Sequence, residues 1–132
     1  MKEASQEWLS AAQDDLKTIT HLENDEELTN ISAFHAQQGI EKCLKAIIEE
    51  YELGAVKIHN LRWLFALCET HLPIGEEDKT LITLLDRLYL DARYPGERGL
   101  LPDGKPTLID AYQFASFARQ IYDRCNSKLA NV

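Results

Sequence analysis

The chain has 132 residues, with 22 acidic against 14 basic side chains and a formal net charge of −8 at pH 7. This length suits one domain, and its content of 45% hydrophobic and 27% charged residues excludes a disordered chain. The acidic balance argues against a protein that coats duplex DNA or anionic membrane, because such binding depends on many Lys and Arg side chains.

The charge is unevenly distributed along the chain. Residues 1–60 hold 12 acids and 5 bases, whereas residues 61–132 hold 10 acids and 9 bases, including all six arginines. The guanidinium group forms forked contacts with phosphate and carboxylate, so we expect any anion site to draw on the second half.

Two helices are predicted in the first half, where apolar residues recur at intervals of three and four. The first covers residues 5–22 and the second covers residues 30–51, with the polar run 23–27 between them and Gly54 as a stop signal. The residues of the second helix that we expect to face the core are Ile31, Phe34, Ala36, Ile40, Leu44, Ile47, Ile48 and Tyr51.

Three further helices are predicted in the second half. A short third helix over residues 61–71 has Asn60 as its N-cap, and a fourth begins after Gly75 and ends before Pro95. The fifth begins after Pro106, where Thr107 and Asp110 have the spacing of a capping box. The expected core-facing residues are Leu61, Leu64, Leu67 and Cys68 in the third helix and Leu81, Leu84, Leu85, Leu88 and Ala92 in the fourth.

The predicted fold class is all-α. No segment shows the sustained alternation of apolar and polar residues that is typical of a strand. Short connections between the first four helices favour antiparallel neighbours, so we expect an up-and-down antiparallel four- or five-helix bundle over residues 1–132, as one domain.

The cysteines and the apolar runs indicate a cytoplasmic protein. Cys43, Cys68 and Cys125 each fall within an apolar helical pattern and are expected to be buried free thiols in a reducing compartment. The N-terminus has no apolar signal core, and no run of about 18 apolar residues occurs, so no membrane association is expected.

No metal or cofactor is expected. The four histidines, His21, His35, His59 and His71, lack the spacing of a metal site. Residues 99–105 match the start of a phosphate-binding P-loop, but Pro106 replaces the required Ser or Thr and a helix, not a strand, precedes the segment.

A polar stripe on the second helix is the first candidate site. Gln38, Glu41, Lys42 and Lys45 share one helical face through spacings of three and four. The simpler interpretation is a solvated charge pattern that stabilises the helix by a few tenths of a kcal/mol per pair. The alternative is a grip for an anion on a face covered by a ligand or partner.

Three further positions and one glycine stand out. His59 precedes the N-cap of the third helix, and Arg93 and Tyr94 stand directly before the proline that ends the fourth. Gly39 costs its helix about 1 kcal/mol relative to Ala, which predicts a close approach of another helix.

These blocks together resemble the HEPN family, the higher eukaryote and prokaryote nucleotide-binding domain. Their order and spacing cover nearly the whole chain. The blocks are Glu7-Trp8-Leu9 with Ala12 and Asp15-Leu16, then residues 37–46 (QQGIEKCLKA), residues 57–61 (KIHNL) and residues 92–95 (ARYP).

The resemblance implies a helical bundle that pairs as a homodimer and is often encoded beside a minimal nucleotidyltransferase. It further implies association with nucleotide or RNA, and many members are endoribonucleases in toxin-antitoxin or defence systems. On this basis we expect a HEPN-type module that binds a nucleotide, RNA or a nucleotidyltransferase partner. The expected ligand-binding residues are Lys42, Lys45, His59, Arg93 and Tyr94.

The nuclease motif of the family is incomplete in this chain. The motif is an Arg separated by four to six residues from a His, and although Arg93 matches the arginine, residues 98–100 are Arg, Gly and Leu. Without that imidazole, the usual reaction loses an acid or base worth about two to four orders of magnitude in rate. The alternative is a metal-independent endoribonuclease with a rearranged site, in which Arg93 stabilises the phosphate and His59 or His35 transfers the proton.

Overall fold

The computed structural model describes residues 1–54, 57–93 and 105–131, with side chains described at all of these except residues 90–93. Five α-helices and one short 3-10 helix lie within these residues. They are α1 (Glu3–Leu22), the 3-10 helix (Glu26–Leu28), α2 (Thr29–Tyr51), α3 (Leu61–Cys68), α4 (Glu76–Arg93) and α5 (Leu108–Ala130).

The helix starts follow the capping chemistry of the sequence. The Asn60 side chain accepts a hydrogen bond from the Trp63 backbone N–H at 3.2 Å, as expected for an N-cap. Thr107 and Asp110 form both halves of the capping box of α5, each at 3.1 Å. The predicted third helix was too long, because α3 ends at Cys68 rather than at residue 71.

The long helices alternate in direction. Lys2 at the start of α1 donates its backbone N–H to Glu50 near the end of α2, so these two helices are antiparallel. Tyr89 near the end of α4 stacks on Phe34 near the start of α2, which makes α4 antiparallel to α2 as well. Helices α1, α2, α4 and α5 therefore form the up-and-down bundle, and α3 lies in the connection between α2 and α4.

Helix α2 is the centre of the molecule, since it packs against each of the other four α-helices. The fold class is confirmed as an all-α helical bundle. Its core is formed mainly by aliphatic side chains that are fully buried. The largest of them are Ile19, Ile40, Leu44, Ile47, Ile48, Leu61, Leu64, Ile82, Leu85, Ile121 and Leu129.

The three cysteines are buried free thiols, as predicted. Burial raises the pKa of Cys68 to about 12, because the protein interior disfavours the thiolate. Burial and the neighbouring Cys125 thiol also raise the pKa of Cys43 well above its usual value.

Three apolar residues that we expected in the core are exposed, namely Ile31, Leu67 and Leu84. Ile31 lies on the side of α2 opposite the buried stripe through Ile40 and Leu44, between Gln38 and Lys42 around the helix. Leu67 and Leu84 satisfy the helical spacing but lie just beyond the arc that neighbouring helices cover, whereas Ile31 lies about 180° from Ile40 around α2.

Gly39 marks the close approach of α1 to α2 that its position predicted. A Cβ atom at Gly39 would lie 3.4 Å from the Cβ of Asp15 and 3.8 Å from the carbonyl oxygen of Ala12. The backbones of the two helices are thus nearly in contact at Asp15.

No helix in the described part of the chain is long and apolar enough to cross a membrane.

Candidate ligand-binding face of α2

A polar face runs along the first two thirds of α2. At 100° per residue, six polar side chains and Phe34 fall within an arc of about 160° beside the buried apolar stripe, and Gln37, Glu41 and Lys45 in this arc are themselves buried. We call them the α2 polar face. Its members are Phe34, His35, Gln37, Gln38, Glu41, Lys42 and Lys45.

One edge of the α2 polar face is tied to α1 through a buried carboxylate. The side chain of Asp15 is only 8% exposed, and its two oxygens bind two different residues of α2. Oδ1 lies 2.8 Å from Nδ1 of His35, and Oδ2 accepts a hydrogen bond from Nζ of Lys42 at 2.7 Å. His35 and Lys42 are 26% and 25% exposed, so both remain accessible from solvent.

A second ion pair is buried further along the same face. Nζ of Lys45 donates to Oε2 of Glu41 at 3.2 Å, and both side chains are almost fully buried. The Lys45 ammonium also lies 5.2 Å from the ring centroid of Trp8 on α1, a cation–π distance. Lys45 therefore stabilises the Glu41 carboxylate from a buried position.

The segment before α3 forms the other edge of the α2 polar face. The carbonyl oxygen of His59 accepts a hydrogen bond from the Gln37 side chain at 3.1 Å, which fixes the backbone of this segment. Nδ1 of His59 lies 3.4 Å from Oε1 of Glu41, and the ring is about half exposed. Oε1 forms no hydrogen bond within the described residues.

Asp86 extends this edge beneath the start of α3. Its carboxylate accepts hydrogen bonds from the backbone N–H groups of Leu61 at 2.8 Å and Arg62 at 3.2 Å. Burial raises the pKa of Asp86, and the nearby Glu41 charge acts in the same direction. Two buried carboxylates therefore lie close together behind His59.

The end of α4 lies beside the start of the face. The rings of Tyr89 and Phe34 are stacked with centroids 6.1 Å apart, and Arg93 follows Tyr89 by one helical turn. Arg93 is the last residue of α4, and its side chain lies outside the described part of the structure. Tyr94 and residues 99–104 of the P-loop-like segment lie outside the described residues.

The simple interpretation of the α2 stripe as a solvated charge pattern is wrong for two of its four residues. Glu41 and Lys45 are buried, because α1 and the segment before α3 cover the face from its two edges. The residues that sequence reasoning missed are Asp15 and Asp86, both buried acids. For Asp15 a signal exists, since it falls on the buried α1 stripe of Leu9, Ala12 and Ile19.

Metal binding has no candidate in the described part of the chain, where no three His, Cys, Asp or Glu residues are grouped to hold an ion. The α2 polar face and its edges instead contain carboxylates paired with cations, together with two accessible imidazoles. Such a face can both donate and accept hydrogen bonds and can transfer protons.

Comparison with known proteins assigns the chain to a family. The family model for the HEPN domain matches residues 5–128. The chain belongs to the HEPN domain family. A crystal structure of an archaeal HEPN homologue superposes with a TM-score of 0.71 at 21% sequence identity, covering 96% of this chain and 98% of that one. The comparison with curated proteins found no match.

Proposed function

We propose that this HEPN domain binds a nucleotide or RNA at the α2 polar face, with Lys42, Lys45, His59, Arg93 and Tyr94 as the ligand-binding residues. The observation that supports the proposal is the burial of charge on this face. Ion pairs at buried positions add little net stability compared with apolar side chains, so two of them on one helix face favour a role in binding.

The mixture of charges favours a nucleotide over a simple anion. Lys42 and Lys45 already have carboxylate partners, so a bare phosphate would meet Asp15 and Glu41 as well as the cations. A nucleotide offers amino and hydroxyl donors for the carboxylates together with a phosphate for the cations. Glu41 Oε1 is buried and lies 3.4 Å from Nδ1 of His59, so under this proposal Glu41 acts on the ligand through the half-exposed His59 ring.

The residues divide into two roles under this proposal. Lys42 and His59 are accessible and would contact the ligand directly. Lys45 would act through Glu41, because its own side chain is only 4% exposed. Arg93 would contribute from the end of α4.

Fluorescence polarisation with a labelled single-stranded RNA, competed by unlabelled mononucleotides, tests the proposal. Lys42→Met and His59→Ala should each weaken binding about tenfold, the loss expected for one hydrogen bond to a charged group. Lys17→Met, which removes an exposed lysine of α1, is the matched control and should leave affinity unchanged. Equal affinity in all four proteins, or no binding to the unmodified protein, would overturn the proposal.

A second candidate function is metal-independent cleavage of RNA, and the geometry of His35 favours it. The Asp15 carboxylate holds Nδ1 of His35 and leaves Nε2 as the free proton acceptor, the arrangement of an oriented general base. In this reaction Nε2 takes the proton from a ribose 2′-hydroxyl, and the 2′-oxygen attacks phosphorus. The 5′-oxygen then leaves and takes a proton from a water molecule, His35 returns its proton to the hydroxide so formed, and the products are a 2′,3′-cyclic phosphate and a 5′-hydroxyl.

The nuclease candidate is tested by incubating RNA with the protein in the presence of EDTA. Cleavage with 2′,3′-cyclic phosphate ends that is lost in His35→Ala and kept in His59→Ala would support His35 as the base. Cleavage that survives His35→Ala would mean that another residue is the base. Intact RNA would contradict the nuclease candidate and leave RNA or nucleotide binding as the proposed function.

Partners of the domain are proposed from the family. We propose a homodimer and a minimal nucleotidyltransferase as partner, in a toxin-antitoxin or related pair. Sedimentation should give a particle of twice the chain mass of 15.1 kDa. Co-purification from native cells should recover the nucleotidyltransferase, and a monomer that purifies alone would contradict both proposals.

A further inference from the structure

A cleft between α3 and α4 lies outside the α2 polar face. It has a volume of about 330 Å³, within the lower range of small-molecule sites. Phe65 and Ile82 form its floor and are almost fully buried, and Ile74 closes one side. Arg62, Glu69 and Lys79 stand at its rim. We call this the α3–α4 cleft.

One rim cation is available for a ligand. Lys79 is already paired with Glu76 at 2.9 Å, whereas the Arg62 guanidinium has no hydrogen bond or ion pair within the described residues. The backbone N–H of Arg62 donates a hydrogen bond to Asp86, which fixes the backbone position from which the Arg62 side chain extends. Glu69 directly follows α3, about two helical turns or 10 Å beyond Arg62.

The charges around the cleft limit the ligand to a single negative charge. Arg62 supplies one unpaired positive charge, and the carboxylates of Glu69 and Asp86 border the same region. A dianion such as a phosphate monoester would be repelled by these acids. A carboxylate fits the forked geometry of the guanidinium with one charge.

The volume of the cleft limits the size of the ligand. At about 30 Å³ per water-sized group, the cleft accommodates about ten non-hydrogen atoms. We propose that the α3–α4 cleft binds a small monocarboxylate with an aromatic body, its carboxylate on Arg62 and its ring against Ala66 and Ile74, above the buried Phe65 and Ile82. This site is separate from the nucleotide site and does not depend on it.

Phenylacetate, with ten non-hydrogen atoms, is a suitable probe, and phenylacetamide is its uncharged control. In methyl NMR spectra of the whole chain, phenylacetate should shift the Ile74 and Ile82 signals in a saturable way. Phenylacetamide should bind at least fivefold more weakly, because it cannot form the ion pair with Arg62.

Arg62→Gln tests the role of the cation and should reduce phenylacetate affinity to that of the amide. Arg87→Gln removes an exposed arginine of α4 that does not line the cleft and should have no effect. Because both positions are exposed, both variants should fold, which their unchanged spectra without ligand would show. Absent shifts, equal binding of acid and amide, or equal effects of the two substitutions would overturn the proposal.

Discussion

The buried carboxylate of Asp15 joins α1 to α2, because it binds both His35 and Lys42. Replacing Asp15 by Asn leaves the half-buried Lys42 ammonium without its counter-charge. Removing one partner of a buried ion pair typically costs about 3 kcal/mol. We therefore predict that Asp15→Asn lowers the free energy of unfolding, measured by urea denaturation, by about that amount.

Asp14→Asn is the matched control for this prediction, because it alters the same charge one residue away on the exposed side of α1. Its effect should stay within about 0.5 kcal/mol. Equal losses in the two variants would mean that the loss of acid charge alone, and not the contact with Lys42, accounts for the change.

The cysteines give a second prediction at the scale of single residues. All three thiols are buried, and the raised pKa values of Cys43 and Cys68 keep these two in the unreactive thiol form at neutral pH. A disulfide reagent added at pH 8 should modify none of the three in the folded protein and all three in denaturant. Rapid modification of one thiol in the folded protein would contradict the burial described here.

Single residues also show where sequence reasoning reached its limit. The helical spacing predicted that Glu41, Lys42 and Lys45 share a face, and the structure confirms it. Burial of Glu41 and Lys45 could not be predicted, because it arises from Trp8 and the segment before α3, which are distant in sequence. Spacing places a residue on a face but does not say which helix covers that face.

Gly39 lies at a close approach of α1 to α2. An added methyl group would meet Asp15 Cβ at an ordinary contact distance of 3.4 Å. Gly39→Ala should therefore raise the free energy of unfolding by about 0.5–1 kcal/mol, the gain in helix propensity.

Gly39→Leu tests the closeness of the same contact. The larger side chain must push α1 away from α2, and overpacking of this kind costs about 1–3 kcal/mol. Thermal unfolding of both variants should show opposite shifts. A stabilising effect of Leu would mean that the helices are further apart than described.

Asp86 accepts hydrogen bonds from the first two backbone N–H groups of α3, and it predicts how the stability of the protein changes with pH. Because burial raises the pKa of Asp86, the folded state holds the Asp86 proton more tightly than the unfolded state does. The Asp86 contribution to stability is thus most favourable at low pH and decreases as pH rises through the folded pKa. The stability of Asp86→Asn relative to the unmodified protein should accordingly improve between pH 4 and 7.

Asp123→Asn serves as the control for this pH dependence, since Asp123 is an exposed acid on α5. Urea denaturation across the pH range should show no comparable trend for it. A trend of opposite sign for Asp86→Asn would mean that the hydrogen bonds from Leu61 and Arg62 outweigh burial.

Most helix bounds could be predicted because local chemistry sets them. Asn60 and Thr107 cap their helices in the structure as their residue types indicate. Helical geometry alone already places Ile31 opposite Ile40. The end of α3 and the exposure of Leu67 and Leu84 depend instead on how far neighbouring helices extend. Those are properties of the assembled bundle, and no local pattern contains them.

At the scale of the whole molecule, the proposed nucleotide site must be compatible with an acidic protein. The net charge of −8 argues against a broad phosphate-binding surface. The α2 polar face is small, and its carboxylates are matched by cations, so the overall charge is not a barrier to a ligand that also donates hydrogen bonds.

Chemical-shift mapping of the isotope-labelled protein with mononucleotides and a short single-stranded RNA tests this account most directly. We predict that saturable changes centre on residues 34–45 of α2 and residues 57–60 before α3, with Lys42→Met reducing affinity. Changes confined to the outer side of α5, or no changes with any nucleotide, would contradict the assignment of the α2 polar face as the binding site.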